Sequence, residues 1–167
     1  KDPDAVRAPA SLTKMMTELI ALEALERGEV ALDDTLIVAS SATKIGGSKI
    51  YLQPGEALLF GECLRAMVIA SANDAASAIA IHLAGSEASF VGWMNTRAEQ
   101  LGMARTKNVN PHGLDRNGEQ TLTSARDQAT LARHLISHPL ALQISSSPTT
   151  TIRKGQVVHS TNRLLGQ

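Results

Sequence analysis

Apolar and polar positions follow helical spacing over most of the chain. Between residues 11 and 27 the apolar side chains recur every three or four positions, which is typical of an amphipathic helix, and Gly28 ends the pattern. Shorter apolar runs predict three more helices, over residues 62–70, 74–84 and 87–101. The chain is therefore expected to be rich in helix.

Strand signals are few and short. Residues 35–39 (TLIVA) are rich in β-formers, and residues 149–158 resemble a hairpin with Lys154 and Gly155 at its turn. Residues 110–120 form a polar loop. Thr123 or Ser124 is a plausible N-cap for a last helix, which has Asp127 in its first turn and extends to about Ser137.

Composition narrows the class of protein. The chain has 167 residues, enough for one domain, and its apolar content of 43% is too high for disorder. Equal numbers of basic and acidic residues, with 2% aromatic residues, argue against nucleic acid or an anionic membrane as the main partner. Cys63 is the only cysteine, so no internal disulfide can form, and its apolar neighbours predict a buried thiol. No apolar run approaches the roughly 20 residues that span a membrane.

The first candidate for chemistry is the pair Ser11 and Lys14, in the segment PASLTK. Residues three apart share one face of a helix, so both side chains would project from its first turn. Burial lowers the pKa of a lysine, and a neutral amine could take the serine proton and create a nucleophile. The partial positive charge of the helix N-terminus would stabilise a developing oxyanion. The competing interpretation is a helix cap followed by a solvated lysine.

Spacing alone does not decide between these interpretations, because Ser41 and Lys44 (SATK) have the same spacing. Gly46 and Gly47 follow that second pair closely, so no long helix would hold its lysine in an apolar setting. A polar turn is the expected structure there.

A second candidate interrupts an apolar helical stretch at Ser71-Ala72-Asn73. Polar groups that break such a run must find partners or they cost stability. The hydroxyl of Ser71 and the carboxamide of Asn73 could both reach a common cleft. The alternative is a helix–helix junction in which one of them caps the next helix. The segment from Ser160 to Asn162 has the same S-x-N spacing, but it lies in a polar stretch.

Together the two pairs resemble the penicillin-binding proteins and serine β-lactamases, whose motifs include S-x-x-K and S-D-N. Longer matches look like the low-molecular-mass D-alanyl-D-alanine carboxypeptidases: PASLTKMMT at 9–17, QPGE at 53–56, SANDAASAIA at 71–80, HGLD at 112–115 and SARD at 124–127. Their order and separations also agree, and the resemblance extends along essentially the whole chain. Ala72 in the second motif suits the carboxypeptidases, since class A β-lactamases typically have aspartate there.

The resemblance implies a role for each of four side chains. Ser11 would attack the carbonyl between the two terminal D-alanines of a peptidoglycan stem peptide and form an acyl-enzyme. Lys14 would accept its proton, Ser71 would relay a proton to the departing D-alanine, and Asn73 would hydrogen-bond the lysine and the substrate amide. β-Lactams, which mimic D-Ala-D-Ala, would acylate the same serine. This chemistry needs no metal and no organic cofactor.

The resemblance also implies an α/β fold of the β-lactamase and transpeptidase type, with helices and a five-stranded sheet. Residues 1–167 would be part of a serine D,D-carboxypeptidase catalytic domain and would hold mainly its helical portion, with few short strands. The resemblance implies a third motif, Lys-Thr-Gly, on a strand that would supply a second oxyanion N–H, and no such tripeptide occurs in the sequence. Relatives also carry a strand pair before the region that residues 1–11 match. We therefore expect a domain truncated at both ends, and we expect the 167 residues alone to be weakly active or inert.

Histidine side chains are candidates for a general base because they titrate near neutrality. His112 and Asp115 lie in a turn-like loop, PHGLD, and we expect them to order that loop near the rim of the cleft. The other four histidines are scattered without ligand-like spacing and are interpreted as structural or solvated.

Two other functions stay open on the sequence alone: a β-lactamase or esterase on the same scaffold, and a non-catalytic relative that binds peptidoglycan. The substrate that the resemblance implies would place the protein outside the cytoplasmic membrane, in the periplasm or at the cell surface. Relatives often have a signal peptide and a C-terminal membrane anchor. Neither is visible here, so membrane association would depend on other segments.

Overall fold

The structure is a computed structural model that describes residues 2–115, 118–153 and 155–165. Its helices in chain order are α1 (Lys14–Glu26), α2 (Phe60–Ile69), α3 (Asn73–Ala84), α4 (Glu87–Gln100), α5 (Ala125–Leu135) and α6 (Pro139–Ser145). Its strands are β1 (Thr35–Ile37), β2 (Ala57–Leu59), β3 (Thr149–Ile152) and β4 (Gln156–His159). They form two antiparallel pairs, β1 with β2 and β3 with β4.

Helix α1 lies at the centre of the helical layer, because it packs against α2, α3, α4, α5 and α6. Every residue from 16 to 22 is buried, so the amphipathic helix predicted here is buried on all sides. The core around it continues into α2 and α3, where Phe60, Leu64 and Ile79 are fully buried.

The segment around Ser11 differs from the prediction of an α-helix starting there. Residues Ala10–Thr13 form a short 3₁₀ turn, and α1 begins at Lys14. Side chains three apart eclipse each other in a 3₁₀ turn, so this geometry still places Ser11 and Lys14 on one side. The helix ends as predicted before Gly28, which adopts a left-handed φ of 68°.

Most other predicted elements are confirmed within two residues, including β1 and the β3–β4 hairpin. Ser124 rather than Thr123 caps α5, since its hydroxyl accepts a hydrogen bond from the Asp127 N–H. Lys154, predicted at the hairpin turn, lies outside the described residues. Strand β2 and helix α6 were not predicted. No helix in the described part of the chain combines the length and apolar character needed to cross a membrane.

Candidate active site

Ser11 and Lys14 are in direct contact. The Lys14 Nζ donates a hydrogen bond to the Ser11 Oγ over 3.2 Å. Ser11 is exposed, whereas Lys14 is only 6% exposed. The N-cap position of α1 is Thr13, and no side chain caps this helix. The interpretation as a cap followed by a solvated lysine is therefore wrong for this pair.

Burial changes the proton affinity of Lys14. Removing the ammonium from water disfavours its charged form and lowers the pKa of Lys14 to about 8. With that pKa, about a tenth of the protein carries a neutral Lys14 amine at pH 7. A neutral amine in contact with an exposed serine hydroxyl is the arrangement that general-base activation requires.

A backbone carbonyl is the second partner of Lys14. The Nζ also donates to the His112 carbonyl oxygen over 3.0 Å. One turn further along α1, the Thr17 hydroxyl donates to the neighbouring Pro111 carbonyl over 2.7 Å. Sequence reasoning missed both contacts, because a carbonyl acceptor leaves no signature in residue type.

Those carbonyls belong to a tight loop of residues 110–114, which is closed by the buried side chain of Asn110. Its Oδ1 accepts hydrogen bonds from the His112 and Gly113 N–H groups over 3.1 and 2.6 Å, and its Nδ2 donates to the Leu114 carbonyl over 2.6 Å. Gly113 has a φ of +83°, and a Cβ there would lie 1.9 Å from the Ala10 carbonyl oxygen. Only glycine permits this approach to the turn that carries the serine.

His112 and Asp115 take part in ordering this region, as expected. The buried His112 accepts a hydrogen bond at Nδ1 from the Leu114 N–H over 3.1 Å. Asp115 is exposed and accepts a hydrogen bond from the Gln120 side chain over 2.8 Å.

The second motif lies between α2 and α3. Ser71 is half-buried with a left-handed φ of 55°, and its hydroxyl makes no hydrogen bond to the described residues. α3 begins at Asn73 after an N-cap at Ala72, and no side chain caps it, so the capping alternative is wrong. The Asn73 Nδ2 donates to the Gly46 carbonyl over 2.9 Å. The expected hydrogen bond between Asn73 and Lys14 is not formed among the described residues, where Lys14 donates to Ser11 and to the His112 carbonyl.

Gly47 connects the second motif to the 110–114 loop. A Cβ on Gly47 would lie 2.7 Å from the Asn73 Nδ2 and 3.4 Å from a Leu114 methyl. A cavity of about 170 Å³ opens beside this contact and is lined by Lys44, Ile45, Gly46, His112, Leu114 and Asp115. Gly47 therefore lies between Asn73 and the loop whose His112 carbonyl accepts a hydrogen bond from Lys14.

The other candidate groups make no hydrogen bond to Ser11, Lys14, Ser71 or Asn73 among the described residues, although Lys44 lines the cavity. Lys44 is exposed in the short 3₁₀ turn Ala42–Lys44, as expected for a polar turn, and Asn162 is exposed as well. Cys63 is fully buried, and burial raises the pKa of its thiol to about 12. Within residues 2–115, 118–153 and 155–165, no three His, Cys, Asp or Glu side chains are grouped so as to hold a metal ion.

Comparison of the sequence with known proteins gives a family match along the whole chain. The D-alanyl-D-alanine carboxypeptidase family, designated peptidase S11, matches residues 1–167. The D-alanyl-D-alanine carboxypeptidase DacF of Bacillus subtilis is 42% identical over 131 residues, which are 78% of this chain and 33% of that protein. The chain spans about a third of the length of the curated relatives it matches.

The comparison of the fold with solved structures agrees with the comparison of the sequence. PBP3 of Streptococcus pneumoniae superposes with a TM-score of 0.93 and 31% identity, over 99% of this chain and 50% of that one. Penicillin-binding protein D2 of Listeria monocytogenes, in its ampicillin-bound form, gives a TM-score of 0.88 and 33% identity over 99% of this chain and 67% of that one. The predicted fold class is confirmed: the chain holds a mostly helical part of a β-lactamase and transpeptidase-like α/β fold.

Proposed function

Because the chain belongs to the peptidase S11 family of D-alanyl-D-alanine carboxypeptidases, we propose that the protein is a serine hydrolase that removes the terminal D-alanine from peptidoglycan stem peptides. The observation that carries this proposal is the contact between the exposed Ser11 hydroxyl and the buried Lys14 amine. The contact pairs a hydroxyl with an amine that can accept its proton, which is the pair that a serine hydrolase of this family would need.

In the proposed reaction the neutral Lys14 amine takes the proton of the Ser11 hydroxyl as Oγ attacks the carbonyl carbon between the two D-alanines. The resulting oxyanion collapses, and the bond from carbon to nitrogen breaks. The departing amine receives that proton from the Lys14 ammonium by way of Ser71, which returns Lys14 to its neutral form, while Asn73 hydrogen-bonds the substrate amide. Water then attacks the ester, which releases the shortened peptide and restores the Ser11 hydroxyl.

β-Lactams are proposed as ligands of the same serine. The strained amide of a penicillin presents a carbonyl to Ser11 in the way that the D-Ala-D-Ala bond does. The ampicillin-bound form of the Listeria monocytogenes relative supports this proposal, since that protein shares the fold at 33% identity. The acyl-enzyme would be an ester on Ser11.

The substrate determines where the protein works. Peptidoglycan lies outside the cytoplasmic membrane, so we infer an extracytoplasmic location, in the periplasm or at the cell surface. Trimming stem peptides would place the protein in cell-wall maturation and the maintenance of cell shape. The four side chains Ser11, Lys14, Ser71 and Asn73 are the residues on which this activity is proposed to depend.

The test combines a peptide substrate with a covalent label. The full-length protein is incubated with a stem peptide ending in D-Ala-D-Ala, and released D-alanine is measured. A second sample is exposed to penicillin, and the modified residue is mapped by mass spectrometry. We expect release of D-alanine, an ester on Ser11 and loss of both in Ser11→Ala. Rapid turnover of penicillin without release of D-alanine would instead indicate a β-lactamase.

A further inference from the structure

We propose that the 110–114 loop holds the Lys14 amine against the Ser11 hydroxyl, and that Thr17 and Asn110 are its positioning residues. The inference rests on the proposed function, because it concerns how the same serine is activated. Neither residue is part of the S-x-x-K or S-x-N motifs.

The position of Lys14 depends on two acceptors. A lysine side chain has four rotatable bonds, so contact with Ser11 at 3.2 Å would fix its amine poorly. The His112 carbonyl, 3.0 Å from the same nitrogen, supplies a second fixed point. Because that acceptor is backbone, its position is set by whatever holds the loop.

Thr17 fixes the loop to the helix that carries Lys14. Its side chain is fully buried, and its hydroxyl donates to the Pro111 carbonyl over 2.7 Å. Pro111 precedes His112 in the chain, so this bond anchors the loop one residue from the carbonyl that holds the lysine. The helix therefore contacts the loop at two positions three residues apart, which lie on one face.

Asn110 fixes the shape of the loop. It is 3% exposed, and its three hydrogen bonds to backbone groups of His112, Gly113 and Leu114 use both ends of the carboxamide. Those bonds determine which way the His112 carbonyl points. Loss of the carboxamide would leave three backbone groups without their partner and release the turn.

The loop also keeps water from the amine. Burial is the cause that lowers the pKa of Lys14. The titratable groups on the surrounding elements include Glu18 on α1, Glu62 on α2, Asp74 on α3, Asp127 on α5 and His112 in the loop. Opening the loop would hydrate the ammonium and raise the pKa of Lys14 towards its ordinary value.

The test compares two substitutions of Thr17 in the full-length protein, one that removes the hydroxyl and one that keeps it. Thr17→Val removes the hydroxyl that holds Pro111, and Thr17→Ser retains it. We expect Thr17→Val to lower the second-order rate of acylation by penicillin by about 10- to 100-fold, because small displacements of a base have effects of that size. Its pH profile should move to higher pH. Thr17→Ser should restore both the rate, to within about threefold, and the profile.

Asn110 has a matched control in Asn108, which is also buried, at 3% exposed. Among the described residues, the one hydrogen bond of the Asn108 side chain runs from its Nδ2 to the Asn95 Oδ1 on α4 over 3.4 Å. We expect Asn110→Ala to slow acylation and shift the pH profile while Asn108→Ala leaves the profile unchanged. Equal behaviour of the two variants, or of Thr17→Val and Thr17→Ser, would overturn the proposal, as would a Thr17→Val rate within about twofold of the wild type.

A readout without catalysis separates this inference from the proposed function. The pKa of Lys14 is followed by heteronuclear NMR titration of its side chain in the wild type, Thr17→Val and Thr17→Ser. A higher pKa in Thr17→Val alone supports the positioning role even if the wild type releases no D-alanine. An unchanged pKa in Thr17→Val overturns it even if the wild type is an active carboxypeptidase.

Discussion

At the scale of single residues, the chain contains the same S-x-x-K spacing in two environments. Lys14 is 6% exposed and contacts Ser11, whereas Lys44 is exposed at the end of a short 3₁₀ turn. The identity and spacing of the residues are equal in both pairs. Burial, which no tetrapeptide encodes, distinguishes Lys14 from the solvated Lys44.

Acylation of Ser11 should follow the titration of Lys14. Burial lowers the pKa of Lys14 to about 8, and the neutral amine is the form that accepts a proton. The rate should therefore rise about tenfold per pH unit below pH 8 and level off above it. Stopped-flow measurement of penicillin acylation from pH 6 to 10 checks this, and a rate that falls as pH rises through 8 would contradict it.

Replacing Lys14 by arginine should remove the base and keep the charge. Arginine stays protonated throughout this pH range, so acylation should fall by about 10²- to 10⁴-fold. Lys44→Arg is the matched control in the second S-x-x-K segment and should react within about twofold of the wild type. Similar losses in the two variants would show that spacing rather than burial matters.

Glu18 should make folding depend on pH. It is 7% exposed, its Oε1 has no hydrogen-bond partner among the described residues, and burial raises its pKa from 4.5 to about 7. Between those values the unfolded chain releases a proton that the folded chain keeps. The free energy of unfolding should therefore fall with rising pH over this window, by up to about 3 kcal/mol from this residue.

Glu18→Gln tests that expectation, since it removes the titrating group and retains the shape. Above pH 7 the variant should be more stable than the wild type, and near pH 4.5 the difference should vanish. Urea unfolding at both pH values measures this. Glu29→Gln, which alters an exposed carboxylate paired with Arg27, should have a much smaller effect. Parallel stability curves for wild type and Glu18→Gln would rule out a buried titrating Glu18.

At the scale of elements, the spacing of apolar residues predicted the helices, and glycines predicted where they end. Gly28, Gly85 and Gly102 follow three of the helices and adopt left-handed φ angles. The burial of α1 on every side was not predictable, because it depends on the five helices packed around it. Strand β2 has 3 residues and helix α6 has 7 residues, so neither is long enough to show a repeating pattern of apolar side chains. In the site, residue types and spacing predicted that Ser11 and Lys14 lie together, whereas the carbonyl partners of Lys14 depend on loop geometry.

The contact between the 110–114 loop and the serine turn is sensitive to a single methyl group. Gly113→Ala would add a Cβ 1.9 Å from the Ala10 carbonyl oxygen at a φ of +83°. Gly85→Ala is the matched control, with a φ of +76° and nothing within 4 Å. In both variants the left-handed backbone should lower the free energy of unfolding by about 1–2 kcal/mol.

Only Gly113→Ala should also displace the loop and slow acylation. Its total loss of stability should reach at least about 3 kcal/mol. Thermal unfolding and penicillin labelling distinguish the two variants. A Gly113→Ala protein as stable and as reactive as Gly85→Ala would show that the loop is not packed on the serine turn.

At the scale of the whole molecule, apolar surface is exposed around the turn that carries the serine. Leu12 is 52% exposed, and a cavity of about 660 Å³ is lined by residues of the N-terminal segment and of the start of α5. These residues include Ala8, Pro9, Leu12 and Ala125. An exposed apolar face of this kind is a candidate contact surface. The curated relatives are about three times as long as the region they share with this chain.

The 167 residues by themselves should therefore react slowly at Ser11. They contain no Lys-Thr-Gly sequence, the family motif expected to supply a second oxyanion donor, and loss of one such donor costs about 10²- to 10³-fold in rate. Ser11 and Lys14 remain in contact, so residual labelling by a fluorescent penicillin should persist and disappear in Ser11→Ala. Equal labelling rates for these 167 residues and for the full-length protein would mean that the base and nucleophile on α1 and its preceding turn suffice for acylation.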